Sequence, residues 1–495
     1  MLESEKLAPN ITPLNWRFIL AFAVIWFITN VVIVQRIETY GAFSTFETSK
    51  LFEYAKSNYH TDPGSLRLNQ SYTRWALNLL PSDAYNYLRA GLGVADGRGL
   101  NIKMISPKDP TSHKYLPYYH QGPGTPVSIG TFIKLFGQES VWPYFLFIST
   151  IHFMTALCVC YFARLFLKNE RYIYGAGLLS LLCLPAIDSN LGAGLFWSEP
   201  LAAPCVLLGL IAVGVFWKRV ESLSCSLKIA CLAGLGFGGS LGIASYFRDV
   251  YTSFAQFSAL VLLLAGLSHR KSIRQIALFT LTAMLAITLV QYPWKKRNNW
   301  YFREFSMSGA TYCSSGLWAL TWDKTRAAIP GYEGGIGLGD YLLPDKSTEV
   351  LQTLDRDKKI GSNLAFKYLI EGICKHPVQA IMFKLEVYDS LWLGQTAYPV
   401  IYIACLISTL SFFASVISTR FRFQPALWFF PAYLVCISTL IQYEHRYSQP
   451  FFLFVTPVTT MVLIETIMAR RKKSELEPEA QDQLHEHTAV VTSNF

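Results

Sequence analysis

Charge is scarce in this 495-residue chain: Asp, Glu, Lys and Arg make up 15% of it, against 52% apolar residues. With a mean hydropathy of +0.29, that shortage excludes an ordinary soluble domain, in which about a quarter of residues are charged. The chain reads as a polytopic membrane protein. Acidic residues are the scarcer sign, 33 against 43 basic, which leaves a net charge of +10. A basic excess can mark a nucleic-acid surface, but here Lys and Arg cluster beside apolar runs, as orientation signals do, so no nucleic-acid partner is expected. Zinc-type cysteine spacing is also missing, and no metal cage is visible in the first long loop. Cys158, Cys160, Cys183, Cys205, Cys231, Cys405 and Cys436 fall inside apolar runs, where a thiol behaves as a small hydrophobe. Cys313 and Cys374 share one expected external loop, so a bridge between them is the single disulfide to test. No internal repeat stands out, which disfavours the inverted-repeat transporters.

Apolar runs near the length of a membrane crossing are abundant instead. The first lies over Arg17 to Val34 and lacks a small-residue cleavage site, so it reads as a span. Others follow near 141–163, 172–187, 201–217, 229–246, 251–267, 275–292, 396–418, 425–442 and 448–468, giving about ten crossings. Two stretches are set aside. Pro126 to Phe136 is too short to cross, and Pro377 to Leu393 carries Lys384, Glu386 and Asp389, each costing about 2.5–3.5 kcal/mol at mid-bilayer; both read as interfacial helices.

With the N-terminus inside, basic clusters fall in the cytoplasmic turns: Arg164, Lys168 and Arg171; Lys218, Arg219 and Lys228; Arg270, Lys271 and Arg274; Arg420 and Arg422; Arg470 to Lys473. The expected organisation is a cytoplasmic N-terminus (1–16) and a seven-span module (17–292) that includes the first external loop (37–139). A second external loop (293–395), three C-terminal spans (396–468) and a disordered cytoplasmic tail (469–495) complete it.

Polar residues at span ends are expensive and become site candidates. In this topology they share the external face: Asp83, Arg89, His113, Lys114 and His120 in the first loop, then Glu199, Arg248 with Asp249, Lys295 to Arg297, and Glu444 to Arg446. Carboxylates, arginines and the rings of Tyr85, Tyr87, Tyr118, Tyr119 and Trp294 at one membrane face suit glycosyl transfer from a lipid phosphate. A carboxylate takes the acceptor proton, cations hold the departing phosphate, and rings cover the sugar. Plainer readings stand beside these. Pro81-Ser82-Asp83 is also a helix cap, Arg248-Asp249 also a mutual ion pair, and Glu444 to Tyr447 also a solvated turn. A transporter or flippase of an anionic lipid or glycan would use the same cations as a pathway, but with charges inside its spans.

Several motifs in order resemble the fold-class-C glycosyltransferases, the group of protein O-mannosyltransferases and lipid A aminoarabinose transferases. They are Ser82-Asp83-Ala84-Tyr85 with Gly97-Arg98-Gly99, and His120-Gln121-Gly122-Pro123-Gly124-Thr125-Pro126 ahead of Leu135-Phe136-Gly137. Ser198-Glu199-Pro200-Leu201, Gly242-Ile243-Ala244 with Arg248, Pro293-Trp294-Lys295-Lys296-Arg297-Asn298, and Arg446-Tyr447 follow. The resemblance covers roughly residues 17 to 450 and implies an all-α membrane fold with two long extracytoplasmic loops. It implies transfer with inversion from a polyprenyl-phosphate or dolichyl-phosphate sugar to an acceptor hydroxyl on a glycan, lipid or protein, without a nucleotide sugar; with no metal cage visible in the first loop, metal-independent catalysis without a cofactor is expected. Asp83 becomes the catalytic base, Arg89, His120, Arg248 and Arg297 the donor-phosphate ligands, and Tyr85, Tyr87, Glu199, Trp294, Asn298 and Arg446 sugar or acceptor contacts. A bacterial inner membrane is the implied location. Two departures are visible: the O-mannosyltransferases carry Asp-Glu where this chain has Asp83-Ala84, and the aminoarabinose transferases carry Lys before a double proline where it has His120 and Gly122-Pro123-Gly124.

Overall fold

The computed structural model describes residues 13–39, 82–103, 115–118, 122–137, 142–183, 198–268, 272–307, 337–393, 399–418, 424–440 and 449–471. They are overwhelmingly helical. In chain order come α1 (Trp16–Thr39), α2 (Ser82–Ala95), β1 (Asn101–Lys103), β2 (Tyr115–Pro117), α3 (Gly124–Phe136), α4 (Trp142–Ala163), α5 (Glu170–Leu181), α6 (Glu199–Glu221), α7 (Leu227–Phe247), α8 (Val250–Ser268) and α9 (Ile273–Phe302). Four helices of the expected second loop follow: α10 (Leu338–Leu342), α11 (Ser347–Arg356), α12 (Lys358–Lys375) and α13 (Pro377–Leu393). Then come α14 (Pro399–Ser418), α15 (Pro425–Leu440) and α16 (Phe451–Arg471).

Six of these, α4, α6, α7, α8, α9 and α16, are long and apolar enough to cross a membrane. Each of the other four expected crossings also meets a helix, but α1, α14 and α15 carry shorter apolar segments (Trp16–Val31, Ile403–Ser415, Pro425–Cys436), and α5 ends at Leu181. The two stretches set aside from the sequence are helices, α13 with the expected limits and α3 starting two residues earlier, at Gly124, and neither is among the six.

Among the described residues α7 packs most extensively on α9, and small residues allow it. In lipid, helices gain little from apolar burial against one another, so association depends on close packing. Gly234, Gly238 and Gly242 recur every fourth residue and place one face of α7 directly against α9. A Cβ on Gly238 would collide with the Ala283 carbonyl, and one on Gly242 would lie 2.9 Å from the Val290 Cβ. Gly238→Leu is expected to separate the pair and abolish the folded monodisperse protein, whereas Gly239→Leu, whose Cβ position is open, is expected to be tolerated. Size-exclusion profiles of the two variants in the same detergent test this.

The helices alternate in direction, and contacts sort their ends into two groups. At one end the Asn169 amide donates to Glu465 Oε1 at 3.0 Å, Arg164 lies 3.4 Å from Glu170, and Gln275 Nε2 donates to the Cys225 carbonyl at 3.3 Å. Lys168, Arg171, Lys218, Arg219, Lys228 and Arg274 flank these contacts in sequence. Caps define the same end: Asn169 accepts from the Arg171 amide and Ser226 from the Ile229 amide, each meeting an orphan donor of a first turn. The opposite end carries the starts of α6 and α16, the ends of α7 and α9, and the α2–β1–β2–α3 segment.

That segment is seated by glycines. Gly97 and Gly99 adopt φ of +73° and +67°, a region closed to most side chains, and turn the chain from α2 into the ribbon, where Ile102 pairs with Leu116. Gly122 abuts the Tyr246 carbonyl at the end of α7, where no Cβ fits, and Gly124 lies on the Phe247 ring.

The helices of 337–393 form a satellite joined to the main core through Leu338, Leu342, Val350, Ala365 and Phe383. Tyr341 stacks on Phe383 at 5.3 Å, and the Ser347 hydroxyl donates to Asp340. Burial raises the Asp340 carboxyl above its ordinary range, partly offset by that hydrogen bond. Lys384 of α13 is 9% exposed, and burial pushes its ammonium down to about 8. A base depressed on folding withholds stability while it is charged. Stability should therefore rise as pH climbs from about 8 towards 10.5. Lys384→Met is expected to melt higher than the parent at pH 7 and to lose that rise, read from thermal unfolding at pH 7 and 9.5. The side chains of Glu386 and Asp389 lie outside the described residues, as does Cys313; Cys374 is exposed.

Candidate functional site

Three chain segments far apart in sequence meet at the end opposite the basic turns. Tyr87 comes from α2, Ser198 and Glu199 from the start of α6, and Arg248 from the residue that ends α7. All four are buried, at 0%, 0%, 2% and 3% exposure. Contacts link the four in a ring. Arg248 Nη1 donates to the Tyr87 hydroxyl at 3.5 Å, which donates to Ser198 Oγ at 3.5 Å, which donates to Glu199 Oε2 at 3.1 Å. Glu199 Oε1 faces Arg248 Nε at 3.5 Å, completing the circuit.

Local structure explains why these charges sit there. Glu199 occupies the first turn of α6, where exposed amides favour an anion, and Arg248 is the C-cap of α7, where free carbonyls favour a cation. Each helix end therefore lowers the penalty of burying its own charge. The ion pair of Arg248 with Glu199 joins two helices. Just below, Gln291 of α9 donates to Ser245 Oγ at 2.9 Å and Thr252 Oγ1 at 2.7 Å, and Tyr246 donates to the Val290 carbonyl at 2.7 Å. These bonds tie α7, α8 and α9 beneath the ring.

Asp83 and Tyr85 lie in the first turn of α2, and position 83 stands one helical turn before Tyr87 on the same face. Their side chains are outside the described residues, as are His120 and Arg446 altogether. Arg89, half-buried, lies further along α2.

The Pro293-Trp294-Lys295-Lys296-Arg297-Asn298 motif forms a clamp on backbone carbonyls. Arg297 Nη1 donates to the Tyr118 carbonyl at 2.6 Å and to Asn298 Oδ1 at 2.9 Å, and Nη2 donates to the Leu100 carbonyl at 3.2 Å. Its guanidinium also lies over the Trp294 ring, 4.4 Å from the centroid. Trp294 Nε1 donates to the Met307 carbonyl at 2.7 Å and Asn298 Nδ2 to the Ser306 carbonyl at 2.9 Å. Arg297 thus fastens the ribbon of the first loop, while Trp294 and Asn298 fasten the chain that leaves α9. Arg303, in the left-handed region at φ 58°, turns that chain back.

Of the residues singled out in the sequence, the structure brings Tyr87, Glu199 and Arg248 into direct contact and sets Trp294, Arg297 and Asn298 beside the ribbon. Ser198 entered the sequence reading only as part of a motif, with no role of its own, and Gln291 went unnoticed. Ser198 is a small polar residue before a Glu-Pro pair, an ordinary helix start, and Gln291 is a single amide inside an apolar run. The second did carry a signal, since a polar group within a span needs partners. Among the described residues, no group of three or more His, Cys, Asp or Glu side chains is close enough to hold a metal ion. No family model matches the chain, and no curated protein or solved structure matches it.

Proposed function

We propose that this chain is an integral membrane glycosyltransferase that moves a sugar from a polyprenyl-phosphate donor to an acceptor hydroxyl at the extracytoplasmic face. The observation that carries the reading is the buried ring of Tyr87, Ser198, Glu199 and Arg248, which ties the helix bearing Asp83 to two membrane helices at the end of the bundle away from the basic turns. In this reading the chain crosses the membrane about ten times with both termini in the cytoplasm, following the distribution of Lys and Arg.

The donor approaches from the bilayer with its phosphate near Arg89 and Arg248. Asp83 takes the proton of the acceptor hydroxyl, whose oxygen attacks the anomeric carbon opposite the phosphate. The new C–O bond forms as the C–O bond to phosphate breaks, and the electron pair leaves on the phosphate oxygen. Cations near a low-dielectric boundary stabilise that leaving charge more strongly than they would in water. Arg297 and the motif around it support the site by holding the ribbon in register.

The test is release of polyprenyl phosphate from a panel of labelled polyprenyl-phosphate sugars by purified protein in nanodiscs, with membrane extract as acceptor source. Sugar-dependent release that Asp83→Asn abolishes supports the reading. No release from any donor by folded protein overturns it and transfers weight to a transporter, tested next by vesicle flux.

A further inference from the structure

The last helix opens on an amide without a partner. Gln449 is 3% exposed, and neither Oε1 nor Nε2 has a hydrogen-bond partner. An amide removed from water and left unpaired is unfavourable at both its donor and its acceptor. The other buried amide side chains among the described residues each have at least one partner. Asn30 donates to the Trp26 carbonyl and accepts from Ser149, Gln291 donates to Ser245 and Thr252, and Asn298 donates to the Ser306 carbonyl while accepting from Arg297. Gln275 Oε1 also lacks a partner, but its Nε2 donates to the Cys225 carbonyl; among the described residues only Gln449 has both ends of a buried amide unpaired.

A second, independent feature adjoins it. Phe451–Val455 form a π-helical turn, a wide turn that recurs at functional sites. It is pinned at the Phe452 carbonyl, which accepts from the Cys183 thiol at 3.4 Å and from the Thr456 hydroxyl at 3.0 Å. Phe451 stands edge-on to Phe412 at 5.3 Å. Because Glu465 near the other end of α16 meets Asn169 among the basic turns, Gln449 belongs to the end of the bundle that carries Arg248.

We propose that Gln449 recognises the transferred sugar, its Nε2 donating to one ring hydroxyl and its Oε1 accepting from a neighbouring one. The inference rests on the glycosyltransferase reading for the identity of the ligand. An isoprenoid chain would leave the amide unpaired, and a phosphate would use only the donor half. Adjacent hydroxyls use both halves.

Full-length protein and Gln449→Leu in nanodiscs test it in two ways. Without ligand, the Leu variant is expected to melt at or above the parent temperature, since it removes an unsatisfied group. A fall of several degrees would mean that the amide is structurally paired and would overturn the proposal. Equilibrium binding is then measured, without acceptor, for the polyprenyl-phosphate sugars and their single-deoxy analogues. The parent is expected to bind one deoxy analogue about 10–100-fold more weakly than the intact sugar, and Gln449→Leu to bind the two equally. Equal discrimination by both proteins overturns the assignment of Gln449, and if phosphate release still depends on Asp83 the transferase reading stands. If no donor binds the parent protein, both fall.

Discussion

Asp83→Asn is expected to lower phosphate release by about 10²–10⁴-fold, the range over which a positioned general base acts, while leaving the melting temperature nearly unchanged. Asn has the shape of Asp and its hydrogen-bonding oxygen, so it preserves a helix-start residue at the second position of α2. What it lacks is basicity. The competing reading of Asp83 as a cap predicts the reverse pattern: the carboxylate's interaction with the helix N-terminus, about 0.3–1 kcal/mol, would be lost as stability while turnover survived. Single-turnover release and thermal unfolding on the same two preparations separate the alternatives. A rate within threefold of the parent value would remove Asp83 from the mechanism.

The second large effect concerns the ring. Arg248→Met is expected to destabilise the protein by about 3–5 kcal/mol, because Glu199, at 2% exposure, keeps a desolvated charge with its counter-ion gone. Combining it with Glu199→Gln should restore most of the stability, since removing both charges also removes the desolvation penalty that one lone charge incurs. The double-mutant cycle measures the coupling directly. Donor affinity separates structure from function in the same set. If Arg248 contributes only to the ring, the stable double variant binds donor as the parent does. If Arg248 also holds phosphate, affinity stays low after stability recovers. Recovery of neither would mean that the ion pair is not what joins the start of α6 to the end of α7.

How much of this was legible in the sequence depends on the length scale of the physics. Hydropathy is a local sum, so the limits of α4, α7 and α8 followed from it, as did the separate character of α3 and α13, whereas α9 runs ten residues past its expected end, to Phe302. The basic turns, too, are local in sequence, and the contacts of Asn169 and Gln275 place two of their flanks at one end of the bundle. Crossing number was less secure. Hydropathy does not record where a helix breaks, and the helix described at the third expected span, α5, ends at Leu181.

The site divides in the same way. Glu199, Arg248 and Arg297 stood out because charge beside an apolar run is costly wherever it faces, and that expense can be read one residue at a time. Their partners could not be read so. Arg248 sits next to Asp249 in sequence, yet it reaches Glu199, 49 positions away, because the end of α7 and the start of α6 lie side by side. Arg297 resembled a phosphate ligand, and folding directs its donors to the carbonyls of Leu100 and Tyr118. A helical membrane protein with polar groups concentrated at span ends was readable from composition and order alone, since both properties follow from the transfer free energies of single residues. Which of those groups meet was settled by folding, because hydrogen bonds act over about 3 Å and depend on which helix ends the packing brings together.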